Sequence, residues 1–203
     1  MRAYFFLCIT FFSLSSAMAQ LNPFLPAKAV LKTGDTLNNI VGKYKANKTF
    51  VYKSDSDKKA IKIDFSKLES VQITNSKGII DTSYFFKRKD QNTYVKVALL
   101  MKGKKLEVYG IHGVNSGSGV GIGMGFSIGI PIPYTTYYIR KTGENDITYM
   151  GTYGTIRGLF KVKVYEYFSD CELLIQKLKE KELRLRDGLV QIAEYYENHC
   201  VND

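Results

Sequence analysis

From Lys28 to about Tyr167 the chain is written in short β-branched and aromatic runs, each closed by a polar or glycine turn. That succession restricts it to a few β architectures. Ala29 to Lys32 and Leu37 to Lys45 flank Thr33-Gly34-Asp35-Thr36, which predicts a hairpin about a Gly-Asp turn. Thr49 to Lys53 and Ala60 to Phe65 are parted by the polar turn Ser54-Asp55-Ser56-Asp57. Ser70 to Thr74, Ile79 to Phe86, Tyr94 to Met101, Lys104 to Ile111 and Thr135 to Arg140 follow. Turn signals at such short intervals predict an antiparallel β-sandwich or a partly open barrel. Strands do not alternate with helices, which disfavours a doubly wound nucleotide-binding sheet.

The stretch 110–133 is rich in glycine. From Val120, even positions are apolar (Val120, Ile122, Met124, Phe126, Ile128, Ile130, Ile132) and odd positions are Gly, Ser or Pro. In extended backbone, a period of two gathers the large side chains on one face and leaves bare backbone on the other. The pattern predicts a strand whose glycines admit a close neighbour. A flap that orders on partner binding and a membrane-inserting hairpin are the alternatives. Val120, Ile122, Met124, Phe126 and Ile128 are the candidate apolar contact ribbon. No phosphate loop is spelled here: a Walker A ending and a Gly-x-Gly-x-x-Gly helix start are both missing, and Pro131 and Pro133 forbid a helix just downstream.

The first 19 residues predict export. Arg2 precedes an apolar run from Tyr4 to about Leu14, and Ala17-Met18-Ala19 supplies the small-x-small pattern accepted by signal peptidase. A run of about a dozen residues is short for a span, which takes roughly 20. Cleavage after Ala19 leaves a protein starting at Gln20, with a net charge of +9 in place of +10. It also removes Cys8, leaving Cys171 and Cys200 as a pair in an oxidising compartment.

At Phe168 the period changes. Ser169-Asp170-Cys171-Glu172 has the form of a capping box, with Phe168 and Leu173 at the staple positions. Leu174, Ile175 and Leu178, then Leu189, Ile192, Ala193 and Tyr196, recur at helical spacing. One helix from 171 to 200 would part the cysteines by about 43 Å, whereas a disulfide needs Cα atoms within about 7 Å. Asp187-Gly188 offers a break, with Asp187 as a cap. The expectation is a helical hairpin at about 170–182 and 188–199 closed by Cys171–Cys200. A single long helix with two free thiols is the alternative.

Catalytic patterns are sparse. His112 and His199 are the two histidines and read as surface or structural residues; no Gly-x-Ser-x-Gly elbow or His-Glu-x-x-His helix occurs. Two histidines and a paired set of cysteines do not make a zinc site, and Asp55-Ser56-Asp57 runs into Lys58-Lys59 rather than completing a calcium loop. Asp64, Asp81, Glu107 and Glu144 remain as carboxylates that the fold can bring together. No metal or cofactor is implied.

Charge is more informative. Residues 20–160 hold 21 Lys and Arg against 10 Asp and Glu, and residues 161–203 hold 7 against 9. The basic excess concentrates at Lys87, Arg88 and Lys89 and at Lys102, Lys104 and Lys105, the candidate anion contacts. Such turns suit an anionic envelope component, such as a glycolipid or acidic polysaccharide, or a protein partner. Nucleic acid is disfavoured for an exported chain. Tyr134, Tyr137, Tyr138, Tyr149 and Tyr153 are candidates for a sugar groove, or else for strand packing.

The segment Leu31-Lys32-Thr33-Gly34-Asp35-Thr36-Leu37 with Gly42-Lys43 resembles the start of a group of uncharacterised exported proteins common in Bacteroidota. Tyr137-Tyr138-Ile139-Arg140-Lys141 and the ending Asp170-Cys171…Leu174-Ile175…Tyr195-Tyr196-Glu197-Asn198…Cys200 are similar to its later segments. The resemblance is spread over residues 28–200, leaves 110–133 unplaced and carries no catalytic residues. It implies a periplasmic or secreted β-rich domain and agrees with the cysteine pairing. The expected organisation is a signal peptide (1–19), a β-rich domain (20–167) and a C-terminal helical hairpin (168–203). The expected function is non-catalytic binding or support at the cell envelope. The alternative is an envelope hydrolase with a carboxylate- or His-based site.

Overall fold

The computed structural model describes residues 23–54, 58–116, 120–122, 126–128, 131–153 and 157–200. The predicted signal peptide lies outside them. β1 (Leu25–Leu31) and β2 (Thr36–Lys45) form the expected hairpin, and Gly34 takes the left-handed turn position at φ +92°. β3 (Thr49–Lys53), β4 (Ile61–Asp64), β5 (Leu68–Thr74), β6 (Ile80–Arg88), β7 (Tyr94–Lys102) and β8 (Leu106–Ser116) follow. Then come β9 (Val120–Ile122), β10 (Phe126–Ile128), β11 (Pro131–Lys141) and β12 (Asp146–Tyr153). β9 and β10 make a separate two-stranded ribbon; the other ten strands share one sheet in the order β12-β11-β8-β7-β6-β5-β1-β2-β3-β4.

All neighbours in that order are antiparallel. A parallel pairing of β12 with β6 (Asp146 with Lys87, Ile147 with Arg88) then closes β6-β7-β8-β11-β12 into a ring of five strands. The fold is therefore a small barrel from which β5 to β4 continue as an open extension, so the expectation of a mainly β fold with a partly open barrel holds. β6 serves both parts. Tyr84 and Phe86 pack inside the barrel against Tyr109, while Phe85 faces the other way onto Phe65 at 4.7 Å between ring centres. The period-two alternation thus separates two cores along a single strand.

β8 and β11 form the longest ladder, from Leu106 opposite Lys141 to Ser116 opposite Pro131. β11 outruns β12 there, since Thr135 opposite Tyr153 is the last β11–β12 pair among the described residues. Prolines 131 and 133 fall on that stretch, where a missing N–H costs no sheet bond to β12.

Three helices cover one side of the barrel: α1 (Arg157–Tyr167), α2 (Glu172–Lys179) and α3 (Leu189–His199). α1 falls where strands were expected. Lys161-Val162-Lys163-Val164-Tyr165 imitates a strand, yet the buried residues are Phe160, Val164 and Phe168, four apart, while Val162 is 61% exposed. Two β-bulges aid this packing: Leu100 and Met150 are the extra residues, and both join the helix-facing core. Gly151, at φ +125°, lets α1 approach so closely that a Cβ there would lie 3.0 Å from the Cα of Phe160.

The hairpin of α2 and α3 and its Cys171–Cys200 disulfide are present, with the Cα atoms 5.6 Å apart. Its ends differ from expectation. Ser169 donates its amide to Glu166 in the closing turn of α1, so the cap of α2 is Cys171, whose Sγ accepts from the Leu174 amide at 3.4 Å. Leu173 is 45% exposed and makes no staple with buried Phe168. Asp187 lies in a 3-10 turn, Leu185–Asp187, and Gly188 at φ +97° begins α3 in its place. A side chain at 188 would meet the Tyr137 hydroxyl at 2.6 Å.

Candidate functional site

The alternation of β8 sends Leu106 and Val108 toward the helices and Glu107 and Tyr109 into the barrel. Arg140 of β11 lies diagonally from Tyr109 and opposite Glu107 in the register. Arg140 Nε donates to Glu107 Oε2 at 2.6 Å, and the Tyr109 hydroxyl donates to the same oxygen at 2.8 Å. The guanidinium lies over the Phe86 ring at 4.3 Å and near Tyr109 at 5.7 Å, and its Nη1 donates to the Glu144 carbonyl. Burial, and next the bond to Glu107, pushes the Tyr109 phenol above the usual tyrosine range. The result is an ion pair held inside a wall of aromatic rings, with every charge partnered.

This network floors a cavity of about 710 Å³. Tyr84, Phe86 and Tyr109 supply aromatic walls, and Lys32, Glu69, Lys102 and Asn145 form a solvent-exposed rim. Lys102 pairs with Glu107 across β7 and β8, a register that sets it on the cavity face. Lys32 Nζ sits 4.4 Å over the Tyr94 ring, which also lines the cavity. Its cations therefore stand beside aromatic surface, an arrangement that suits an anionic ligand with a flat, partly apolar body.

Among the six predicted anion contacts, Lys102 alone lines this cavity. Arg88 is held by Asp90 (Nε to Oδ1 at 2.9 Å) and lies 4.7 Å from the Tyr149 ring; the Asp90 bond raises its pKa and lowers that of Asp90. Lys89 pairs with Glu144 at 2.7 Å, lowering the Glu144 pKa. Lys87, one residue before the end of β6, stands opposite Asp146. Lys104 and Lys105 lie on the β7–β8 turn, where the amides of 104, 105 and 106 all donate to the Glu197 carboxylate of α3. The two basic turns stand at opposite ends of β7, yet both border the 142–145 turn, through Lys89–Glu144 and the Thr142 amide to the Lys105 carbonyl.

Of the four candidate carboxylates, Glu107 alone lines the cavity. Asp64 caps the 3-10 turn Phe65–Lys67 by accepting from the Ser66 amide at 2.8 Å, which holds its pKa low. Asp81 sits on β6, and Glu144 serves Lys89. His112 bonds Thr135 at 2.9 Å and His199 bonds the Tyr195 carbonyl at 3.0 Å, both exposed. No group of three or more His, Cys, Asp or Glu among the described residues can hold a metal ion, and no described helix is long and apolar enough to cross a membrane.

The predicted sugar-groove tyrosines are dispersed. Tyr137 stacks on Phe160 of α1 and Tyr153 meets the same ring edge-on, while Tyr138 and Tyr149 pack together near Arg88. The cavity draws instead on Tyr84, Tyr94 and Tyr109. In the apolar ribbon, Phe126 pairs with Ile122 and Ile128 with Val120, so large residues share register positions across the two strands. Met124 lies outside the described residues. A comparison against protein families, curated proteins and solved structures finds no match for this chain.

Proposed function

We propose that this chain is an exported, non-catalytic binding domain of the cell envelope, akin to the exported Bacteroidota proteins it resembles, which takes an acidic saccharide into the mouth of its barrel. The observation that carries this is the aromatic cavity whose open rim bears Lys32 and Lys102 and whose floor holds Arg140. Sugar rings stack on aromatic faces, and carboxylate substituents pair with the rim lysines. Glu107 is engaged by both Arg140 and Tyr109, which suits a scaffold rather than a proton-transfer group. The disulfide fits an oxidising compartment.

Calorimetric titration with oligogalacturonate, against a neutral oligosaccharide of equal length, tests binding. The acidic sugar binds, the neutral one binds weakly, and Lys102→Gln weakens the acidic sugar by about tenfold. Equal affinity for both sugars, or no effect of Lys102→Gln, contradicts the proposal; release of reducing ends that stops in Glu107→Gln favours the hydrolase. Export is tested separately by sequencing the mature N-terminus, which is Gln20 on this account and Met1 otherwise.

A further inference from the structure

The helical layer carries a second opening, away from the barrel mouth. α1, the end of α2 and the segment leading to Gly188 enclose a groove of about 570 Å³. Its floor is apolar, made by Tyr165, Leu178, Leu183 and Leu185. Its rim carries Lys161, Lys179, Lys181, Arg184 and Arg186, with no carboxylate among the lining residues. The sequence Lys179-Glu180-Lys181-Glu182-Leu183-Arg184-Leu185-Arg186 sets two glutamates among four cations, but the fold sorts them. Glu182 pairs with Lys177 and Glu180 accepts from Gln176 at 2.8 Å, so both carboxylates are held by residues of α2 outside the groove lining. Of the five rim cations, Arg186 alone is in an ion pair within 4 Å among the described residues, with Asp187 at 3.7 Å, and that pair is exposed. Outside the groove lining, α1 shows solvent two aliphatic side chains one turn apart, Val162 (61% exposed), which follows the rim residue Lys161, and Leu159 (43% exposed).

We infer that this face docks on the surface of a bilayer that contains anionic lipid. Cations around an apolar floor, four of the five outside any ion pair among the described residues, match phosphate headgroups above acyl chains, and Val162, beside the rim on the same helix, supplies the shallow apolar contact that interfacial binding needs. An acidic peptide would use the cations and leave Val162 in water, which is why the lipid surface is the better match. The docking is independent of what the barrel mouth holds, so either can fail alone.

Co-sedimentation of the processed protein with vesicles tests it, using phosphatidylcholine alone and phosphatidylcholine mixed equally with phosphatidylglycerol. Binding is expected to the mixed vesicles and to fall with added salt. At roughly fivefold per cation near an anionic surface, Lys179→Gln with Arg184→Gln and Arg186→Gln lowers it on the order of a hundredfold. Val162→Ser lowers it by about threefold. A control triple on the distant sheet, Lys28→Gln with Lys62→Gln and Lys77→Gln, removes the same net charge and leaves binding within about threefold. All variants retain the far-UV circular dichroism of the parent. Equal binding to both vesicle types overturns the inference, as does a control triple that loses as much as the groove triple. Capture of a polyglutamate peptide without sedimentation on either vesicle overturns the choice of lipid.

Discussion

Arg140 is the residue on which the barrel interior depends. Glu107 is 5% exposed, and without the guanidinium it keeps only the Tyr109 hydroxyl. Arg140→Met should therefore cost about 3 kcal/mol in urea unfolding at neutral pH, while the pair Arg140→Met with Glu107→Gln costs less than the single change, because no buried charge is then left alone. A double variant as unstable as the single one would show that the ion pair has no such coupling. The tyrosines set the alkaline limit. Burial pushes Tyr44 and Tyr167 up to about 12, and burial together with the bond to Asp170 does the same for Tyr196. Each folded value lies above that of the unfolded phenol, about 10, so the unfolded chain releases its proton first. Their contribution is complete below pH 10 and drains away as the pH rises toward 12. Phenolate absorbance should rise in two steps, exposed tyrosines first and these with unfolding; a single step near 10 with the fold intact contradicts this. The Arg140–Glu107 pair was hidden in the sequence because its partners stand 33 positions apart. The one local sign was a glutamate inside Leu106-Glu107-Val108-Tyr109, a strand apolar on both sides of it.

Among the elements, those whose turns carry their own chemistry were legible. The β1–β2 hairpin around Gly34 and the α2–α3 hairpin around Gly188 stand where the residues placed them. Asp146–Tyr153 was missed because Met150 and Gly151 form a bulge and break its period. α1 was missed because lysines alternate with valines along it, and only packing of Phe160, Val164 and Phe168 under the helix decides between the two periods. The disulfide joins the start of α2 to the end of α3 across 29 positions. Its loop length corresponds to about 3–4 kcal/mol in the chain-entropy model. Cys171→Ser with Cys200→Ser should lower stability by about that amount and leave the strand signal in circular dichroism, since the barrel closes without it. Loss of the strand signal at low temperature would instead make the helices part of what closes the barrel.

For the molecule as a whole, closure by a parallel β12–β6 contact is a long-range event that no local pattern announces, and it is what turns a row of hairpins into a cavity. Which basic residues stay available is decided by the folded partners and not by their density along the chain. Arg88 is consumed locally by Asp90, two positions on, and Lys89 by Glu144 from a distant turn, whereas Lys102 and the distant Lys32 come to one rim. The helical segment, acidic in sum, likewise presents a basic groove because none of its carboxylates lines that groove. The most direct examination of ligand binding at the barrel mouth is amide shift mapping by NMR as oligogalacturonate is added. Shifts concentrated at Lys32, Tyr94, Lys102, Tyr109 and Arg140 are the predicted result. Shifts scattered over the surface, or confined to the groove beside α1, would contradict it.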